Sequence, residues 1–125
     1  MSKILCLLSH PPSSVEVSLV QKVLDFYKVC HDSVKLFPKL ERYSLGQKIE
    51  NTILEILELT LQAAYQPKYR KIETIRKASD KTDLLKYLLR LAYNVEAVNL
   101  KKYLLLEEKA IELGKMFGGW IKSLT

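Results

Sequence analysis

The segment "KYRKIETIRKASDKTDLLKYLLRLAYNVEA", residues 68–97, carries apolar positions at helical spacing along its length. On a helical wheel one apolar stripe occupies a single face, as expected for the core side of a packed helix. Its members are Ile75, Ala78, Thr82, Leu85, Leu89 and Ala92. Because proline suits the first position of a helix, the segment predicts one long helix that begins around Pro67.

A second apolar stripe lies about 120° around the same helix. It consists of Leu84, Leu88, Leu91 and Val95. A helix of a monomeric bundle buries one face, so this second stripe predicts an oligomer interface with another copy of the chain. The alternative is one wide stripe that is buried within a single chain.

Helical spacing continues on the N-terminal side of this segment. A first helix is predicted to end near Phe37, because Pro38 disfavours helical geometry in the residue before it. A second helix follows and ends just before Pro67. Ser44 and Gln47 form a capping-box pattern at its start.

On the C-terminal side, Asn99 is expected to cap a fourth helix. Four helices joined by short connections predict an all-α, up-down-up-down four-helix bundle over residues 14–125. Residues 1–13 are predicted to be a tail or a short extension. Their apolar run, residues 4–8, is too short for a transmembrane helix or a signal-peptide core. Two cysteines make no disulfide framework, so we predict a cytoplasmic protein with no membrane segment.

Nearly all of the net charge of +6 lies in the third helix. Residues 68–90 hold eight Lys/Arg and three Asp/Glu, a net charge of +5. A concentrated positive field suits a polyanionic partner, although a solvated helix face is the alternative. Tyr69 and Tyr87 share a face and offer rings on which unpaired bases can stack. We predict nucleic-acid or partner contacts for Arg70, Lys71, Arg76, Lys77, Lys81, Lys86 and Arg90.

The sequence offers no constellation typical of catalysis or metal binding. Cys30 and His31 are adjacent, and adjacent residues of a helix point in different directions. The Glu-x-x-His pattern of di-iron bundles and the phosphate-binding glycine loop are both absent. We therefore predict that the protein is not an enzyme and has no catalytic residues, metal or cofactor.

Three of the four glycines lie in "LGKMFGGWIKS", residues 113–123. A glycine inside a helix costs about 1 kcal/mol relative to alanine, so these positions require a reason. Gly114 and Gly118 lie on one ridge, where small residues let two helix backbones approach closely. Alternatively, Gly118 and Gly119 end the fourth helix.

Two segments resemble the accessory variability determinant (Avd) proteins of diversity-generating retroelements. They are "FPKLERYSLGQKIEN" (residues 37–51) and "LLRLAYNVEAVNLKKYLLLEEKAIELGKMFGGWIKS" (residues 88–123). The phrases F-P-K-x-x-R-Y-[ST]-L-G and G-[KR]-M-x-G-G-W-I-K-S are fairly specific together. The resemblance covers about residues 15–123, and the N-terminal tail departs from the family pattern.

This resemblance implies a four-helix bundle that assembles as a homopentameric barrel with a basic surface. It also implies a non-enzymatic partner of the retroelement reverse transcriptase and its template RNA, which together support mutagenic retrohoming. The second candidate is the related bundle family encoded by intervening sequences of large-subunit ribosomal RNA genes. That family shares the F-P-K-x-E-x-Y opening, but its last helix is not expected to end in G-G-W-I-K-S. A third possibility is an oligomeric scaffold that binds no nucleic acid.

Overall fold

The computed structural model describes residues 14–125 of the chain. The predicted N-terminal extension, residues 1–13, lies outside the described residues. Four long helices make up the described part: α1 Ser14–Val34, α2 Gln47–Ala64, α3 Lys68–Asn94 and α4 Leu100–Leu124. No β-strand occurs between residues 14 and 125, so the prediction of an all-α chain with four helices is confirmed.

The start of α2 differs from the prediction. A helical turn, Lys39–Glu41, and a π-helical turn, Arg42–Gly46, lead into α2 without a break. Helical structure therefore begins directly after Pro38, and the predicted capping box is wrong. Instead, the Ser44 hydroxyl donates a hydrogen bond to the carbonyl oxygen of Leu40 at 2.9 Å, as serine inside a helix often does.

Consecutive helices pack as antiparallel neighbours. His31, near the end of α1, contacts Glu50, near the start of α2, with 2.9 Å between Nδ1 and Oε1. Lys22 of α1 and Glu112 of α4 form an ion pair at 3.0 Å, which joins the first helix to the last. The predicted core stripe of α3 is buried at every position, as the helical spacing indicated. The other helices contribute large buried side chains that include Leu19, Ile53, Ile56, Leu106 and Phe117.

Asn99 caps α4 as predicted, and its removal should be measurable. The side-chain Oδ1 accepts a hydrogen bond from the backbone N–H of Lys102 at 2.8 Å. We expect Asn99→Ala to lower the free energy of unfolding by about 1 kcal/mol, because that N–H loses its acceptor. Urea unfolding measures the change. Asn99→Asp keeps the acceptor and is the control, so equal stability of the two variants would contradict this role.

Candidate nucleic-acid interface

Helix α3 lies between α2 and α4, and it presents its remaining face to solvent. Arg70, Arg76 and Lys77 are exposed on that helix, and no ion pair involves them among residues 14–125. These three predicted cations are therefore accessible to an external anion. The other four predicted cations have partners within the chain.

Lys71 connects all four helices. Its ammonium donates to Glu16 Oε1 of α1 at 3.0 Å and to the Ala64 carbonyl of α2 at 3.4 Å. It also lies 5.7 Å from the ring centroid of Trp120 in α4. Only 15% of the Lys71 side chain is exposed, so this cation stabilises one end of the bundle from inside.

Lys81 and Lys86 form ion pairs at the surface. Lys81 donates to Glu55 of α2 at 2.7 Å, and this bond is the main cause that holds the pKa of the Glu55 carboxyl below its ordinary value. Lys86 pairs with Asp83, three residues earlier on α3, at 3.3 Å. Exposed pairs contribute about 0–1 kcal/mol, so a phosphate can compete for either ammonium.

Arg90 occupies an aromatic setting at the far end of α3. Its guanidinium lies 5.6 Å from the ring centroid of Tyr87. Interaction with the hydroxyl of Tyr103 on α4 is the main cause that raises the pKa of Arg90. Hydrogen bonding to Glu107 is likewise the main cause that raises the pKa of Tyr103. This cation is exposed and lies beside the α4 side of the helix.

One further cation joins the site through the fold. Lys122 is exposed in the last turn of α4, and the contact between Lys71 and Trp120 places this turn beside the start of α3. Lys115 is also exposed, but a Cβ atom at the neighbouring Gly114 would lie 3.9 Å from Thr82, so Lys115 is level with the middle of α3. The proximity of Lys122 to α3 was not visible in the sequence.

We call this surface the basic end, and it consists of Lys68, Arg70, Arg76, Lys77 and Lys122. The first ten residues of α3 hold five Lys/Arg and one Asp/Glu. Glu55 and Glu58 of α2 line one groove with Lys77 and Asp80, so carboxylates begin where the basic end stops. Positive charge on α3 is therefore densest in its first ten residues and is not uniform along the helix.

The four residues of the second apolar stripe have two different environments. Leu84, Leu91 and Val95 are exposed, whereas Leu88 is only 8% exposed and belongs to the core of its own chain. Leu88 is thus on the border between the core and the proposed interface. The remaining three side chains are free to contact another molecule.

His31 and Cys30 are the adjacent pair whose positions in the sequence argued against a shared metal ion. His31 bonds to Glu50 and stacks on Tyr27 with 5.8 Å between ring centroids. Burial raises the pKa of the Cys30 thiol, with a smaller contribution from the charge of Glu50, so the reactive thiolate is disfavoured. No group of three or more His, Cys, Asp or Glu in the described part of the chain is placed to hold a metal ion. None of its helices combines the length and the hydropathy that crossing a membrane requires.

The chain is similar to one known family and to a solved structure. A family model described as bAvd-like matches residues 17–124. A crystal structure of a protein of unknown function from the S23 ribosomal protein family of Bacteroides thetaiotaomicron matches with a TM-score of 0.77 and 17% identity. The match covers 86% of this chain and 98% of that chain, and at this identity it concerns the fold alone. The comparison with curated proteins gave no match.

Proposed function

This chain belongs to the bAvd-like family, and from that premise we propose that it is a non-catalytic accessory protein of a diversity-generating retroelement. It binds the retroelement's reverse transcriptase and template RNA in the cytoplasm and supports mutagenic retrohoming. The match of the family model over residues 17–124 is the observation that supports the retroelement role. The S23-type crystal structure shares the fold, and that similarity alone favours neither family.

The basic end supports the nucleic-acid part of the proposal. Its cations come from two helices that meet there, so they can contact neighbouring phosphates of one strand. Contacts of this kind depend on charge and tolerate any sequence, and their affinity falls steeply with salt. Lys81 and Lys86 continue the row of cations farther along α3. Each of them can exchange its carboxylate partner for a phosphate. Arg90 completes this line of cations along α3.

We also propose that the protein is a ring of identical subunits, for which the resemblance to Avd proteins implies five. A ring needs two different faces of each subunit to meet. Two sets of exposed apolar side chains meet this requirement. One set consists of Leu84, Leu91 and Val95 along α3, where Leu84 lines a groove with Glu58 and Gln62 of α2. The other lies on α1 and α2 and comprises Val17, Leu24, Leu54 and Leu61.

Charge reversal at the basic end tests RNA binding. We expect the double variant Arg76→Glu/Lys77→Glu to bind an RNA oligonucleotide at least about tenfold more weakly at about 0.1 M salt, because it replaces two phosphate contacts with repulsion. Fluorescence anisotropy measures the affinity. Both side chains are exposed, so the circular dichroism spectrum and the melting temperature should stay close to those of the unmodified protein.

The matched control reverses two cations at the opposite end of the bundle. Lys35→Glu/Lys39→Glu changes the net charge by the same amount, both side chains are exposed, and within residues 14–125 only Lys35 of the two has an ion-pair partner, Asp32 at 3.5 Å. We expect this variant to retain most of the affinity, since both residues lie between α1 and α2, outside the line of cations along α3. Equal losses in the two variants would show that net charge alone determines binding, which contradicts the proposed location.

Affinity purification of a tagged copy from its native cells tests the whole proposal. We expect it to recover a reverse transcriptase together with one abundant non-coding RNA. Recovery of ribosomal RNA alone would favour the intervening-sequence type of bundle protein. Recovery of the tagged chain and its own copies alone would leave an oligomeric scaffold.

A further inference from the structure

We propose that Tyr69 and Tyr87 of α3 are stacking sites for unpaired bases, so that this protein prefers single-stranded RNA to a duplex. The inference rests on the proposed function, because it specifies which form of RNA the α3 surface binds. Both tyrosines are far more exposed than an aromatic residue usually is, with relative exposures of 79% and 64%.

The two rings face the same way along one rigid helix. Eighteen residues separate them, which is five turns of an α-helix and about 27 Å along its axis. Arg76 lies between them on that face of α3. Since a helix does not bend to follow its ligand, a flexible single strand can reach both rings more easily than a stiff duplex can.

Each ring carries a guanidinium beside it. Arg70 lies 5.9 Å from the ring centroid of Tyr69, and Arg90 lies 5.6 Å from that of Tyr87. The exposure of the rings leaves surface open for a base, at Tyr87 on the side that faces Arg90 and not on the side of the proposed interface residues Leu84 and Leu91. The adjacent cation can reach the phosphate of the same nucleotide. A ring for the base and a cation for the backbone are the two components of single-strand binding sites.

Three other tyrosines in the bundle have ring partners in their own chain. Tyr93 and Tyr103 stack on each other with 5.1 Å between centroids, and Tyr27 stacks on His31. No ring contact of this kind involves Tyr69 or Tyr87 within residues 14–125. The fold therefore uses some tyrosine rings for internal packing, and it leaves Tyr69 and Tyr87, the two most exposed tyrosines of α3, facing water.

Carboxylates on α3 disfavour a duplex on this surface. Glu73 and Asp80 are exposed between the two tyrosines, and Asp83 is paired with Lys86. A duplex laid along the helix would bring phosphates against Glu73 and Asp80 and would offer no base faces to the rings. A single strand can stack at both ends and direct its phosphates toward the flanking cations.

The test compares one unstructured RNA of about 20 nucleotides with its own duplex, a length that spans both rings. We expect the full chain to bind the single strand at least about fivefold more tightly than the duplex, measured by anisotropy. We expect Tyr69→Leu/Tyr87→Leu to lose roughly tenfold or more in single-strand affinity and little in duplex affinity. Tyr69→Phe/Tyr87→Phe keeps both rings and should bind within about twofold of the unmodified protein.

A third exposed tyrosine provides the control for location. Tyr43 is 66% exposed and has Arg42 5.9 Å from its ring centroid, but it lies in the turn that leads into α2. We expect Tyr43→Leu to leave single-strand affinity unchanged. A similar loss from this variant would show that exposed aromatic surface matters in general, which overturns the assignment to α3.

Failure of the stacking inference and failure of the proposed function give different results. If charge reversal at Arg76 and Lys77 weakens binding but both leucine substitutions leave it unchanged, the stacking sites are overturned and RNA binding stands. Equal affinity for the single strand and the duplex would likewise overturn the stacking sites and leave RNA binding intact. If neither form of RNA binds, or charge reversal has no effect on binding, the proposed function fails as well.

Discussion

Leu88→Asp is expected to unfold the chain, whereas Leu91→Asp should separate the subunits and leave the fold intact. Leu88 is 8% exposed and packs in the core between the helices. A carboxylate there loses its hydration without gaining a partner, so we expect a loss of about 4 kcal/mol or more in the free energy of unfolding. Urea unfolding followed by circular dichroism measures it.

Leu91 lies one helical turn further along α3 and is 48% exposed. An aspartate at this position remains hydrated in the free subunit, so it should cost the fold little. In a subunit interface the same charge would be buried, and we expect the mass in solution to fall to that of one chain. Light scattering after gel filtration measures the mass. Leu91→Met conserves volume and should keep the assembly, while an unchanged mass for Leu91→Asp would remove this residue from the interface.

The position of Leu88 shows how far helical spacing predicts burial. The stripe from Ile75 to Ala92 is buried throughout, because these residues lie at the middle of the helix face that packs against the rest of the bundle. Leu88 lies at the edge of that arc, where the packing of α2 against α3 decides whether water reaches it. A wheel drawn for one helix contains no information about its neighbours, so the sequence could not separate Leu88 from Leu91.

The candidate site was predictable in its charge but not in its arrangement. Counting residues located the excess of cations on α3, but two of those cations pair with acidic residues from other helices. Lys71 meets Glu16, which is 55 positions earlier, and Lys81 meets Glu55 on α2. In this way the fold pairs one cation in the first turn of α3 and one in its middle, and it brings Lys122 to the start of the same helix. Long-range pairing of this kind has no signature in local sequence.

The second large effect is expected at Gly46, because the fold requires a glycine at this position. A Cβ atom at this position would lie 2.7 Å from Val34 Cγ1 and 3.3 Å from the carbonyl oxygen of Glu41. The backbone of Gly46 is ordinary right-handed helix, so close approach and not conformational freedom demands glycine here. Val34 is buried and β-branched, which leaves its side chain little room to move.

We therefore expect Gly46→Ala to lower the free energy of unfolding by about 2 kcal/mol, although alanine is the better helix former. Urea unfolding in the Leu91→Asp background measures it, because subunit association then contributes nothing to the apparent stability. A variant as stable as its parent would mean that Val34 and the turn before α2 relax at no cost.

Gly118 is the matched control, and the opposite sign is expected there. The interpretation that Gly118 and Gly119 end the helix is wrong, because α4 continues to Leu124. A Cβ atom at Gly118 would meet nothing within 4 Å, so Gly118→Ala should raise the stability of the single chain by up to about 1 kcal/mol. Its own chain thus gives no reason for this glycine. If Gly118→Ala stabilises the Leu91→Asp chain but weakens the assembly of the unmodified one, close approach of a neighbouring subunit is the reason. If it stabilises both, the ridge hypothesis for Gly118 is contradicted.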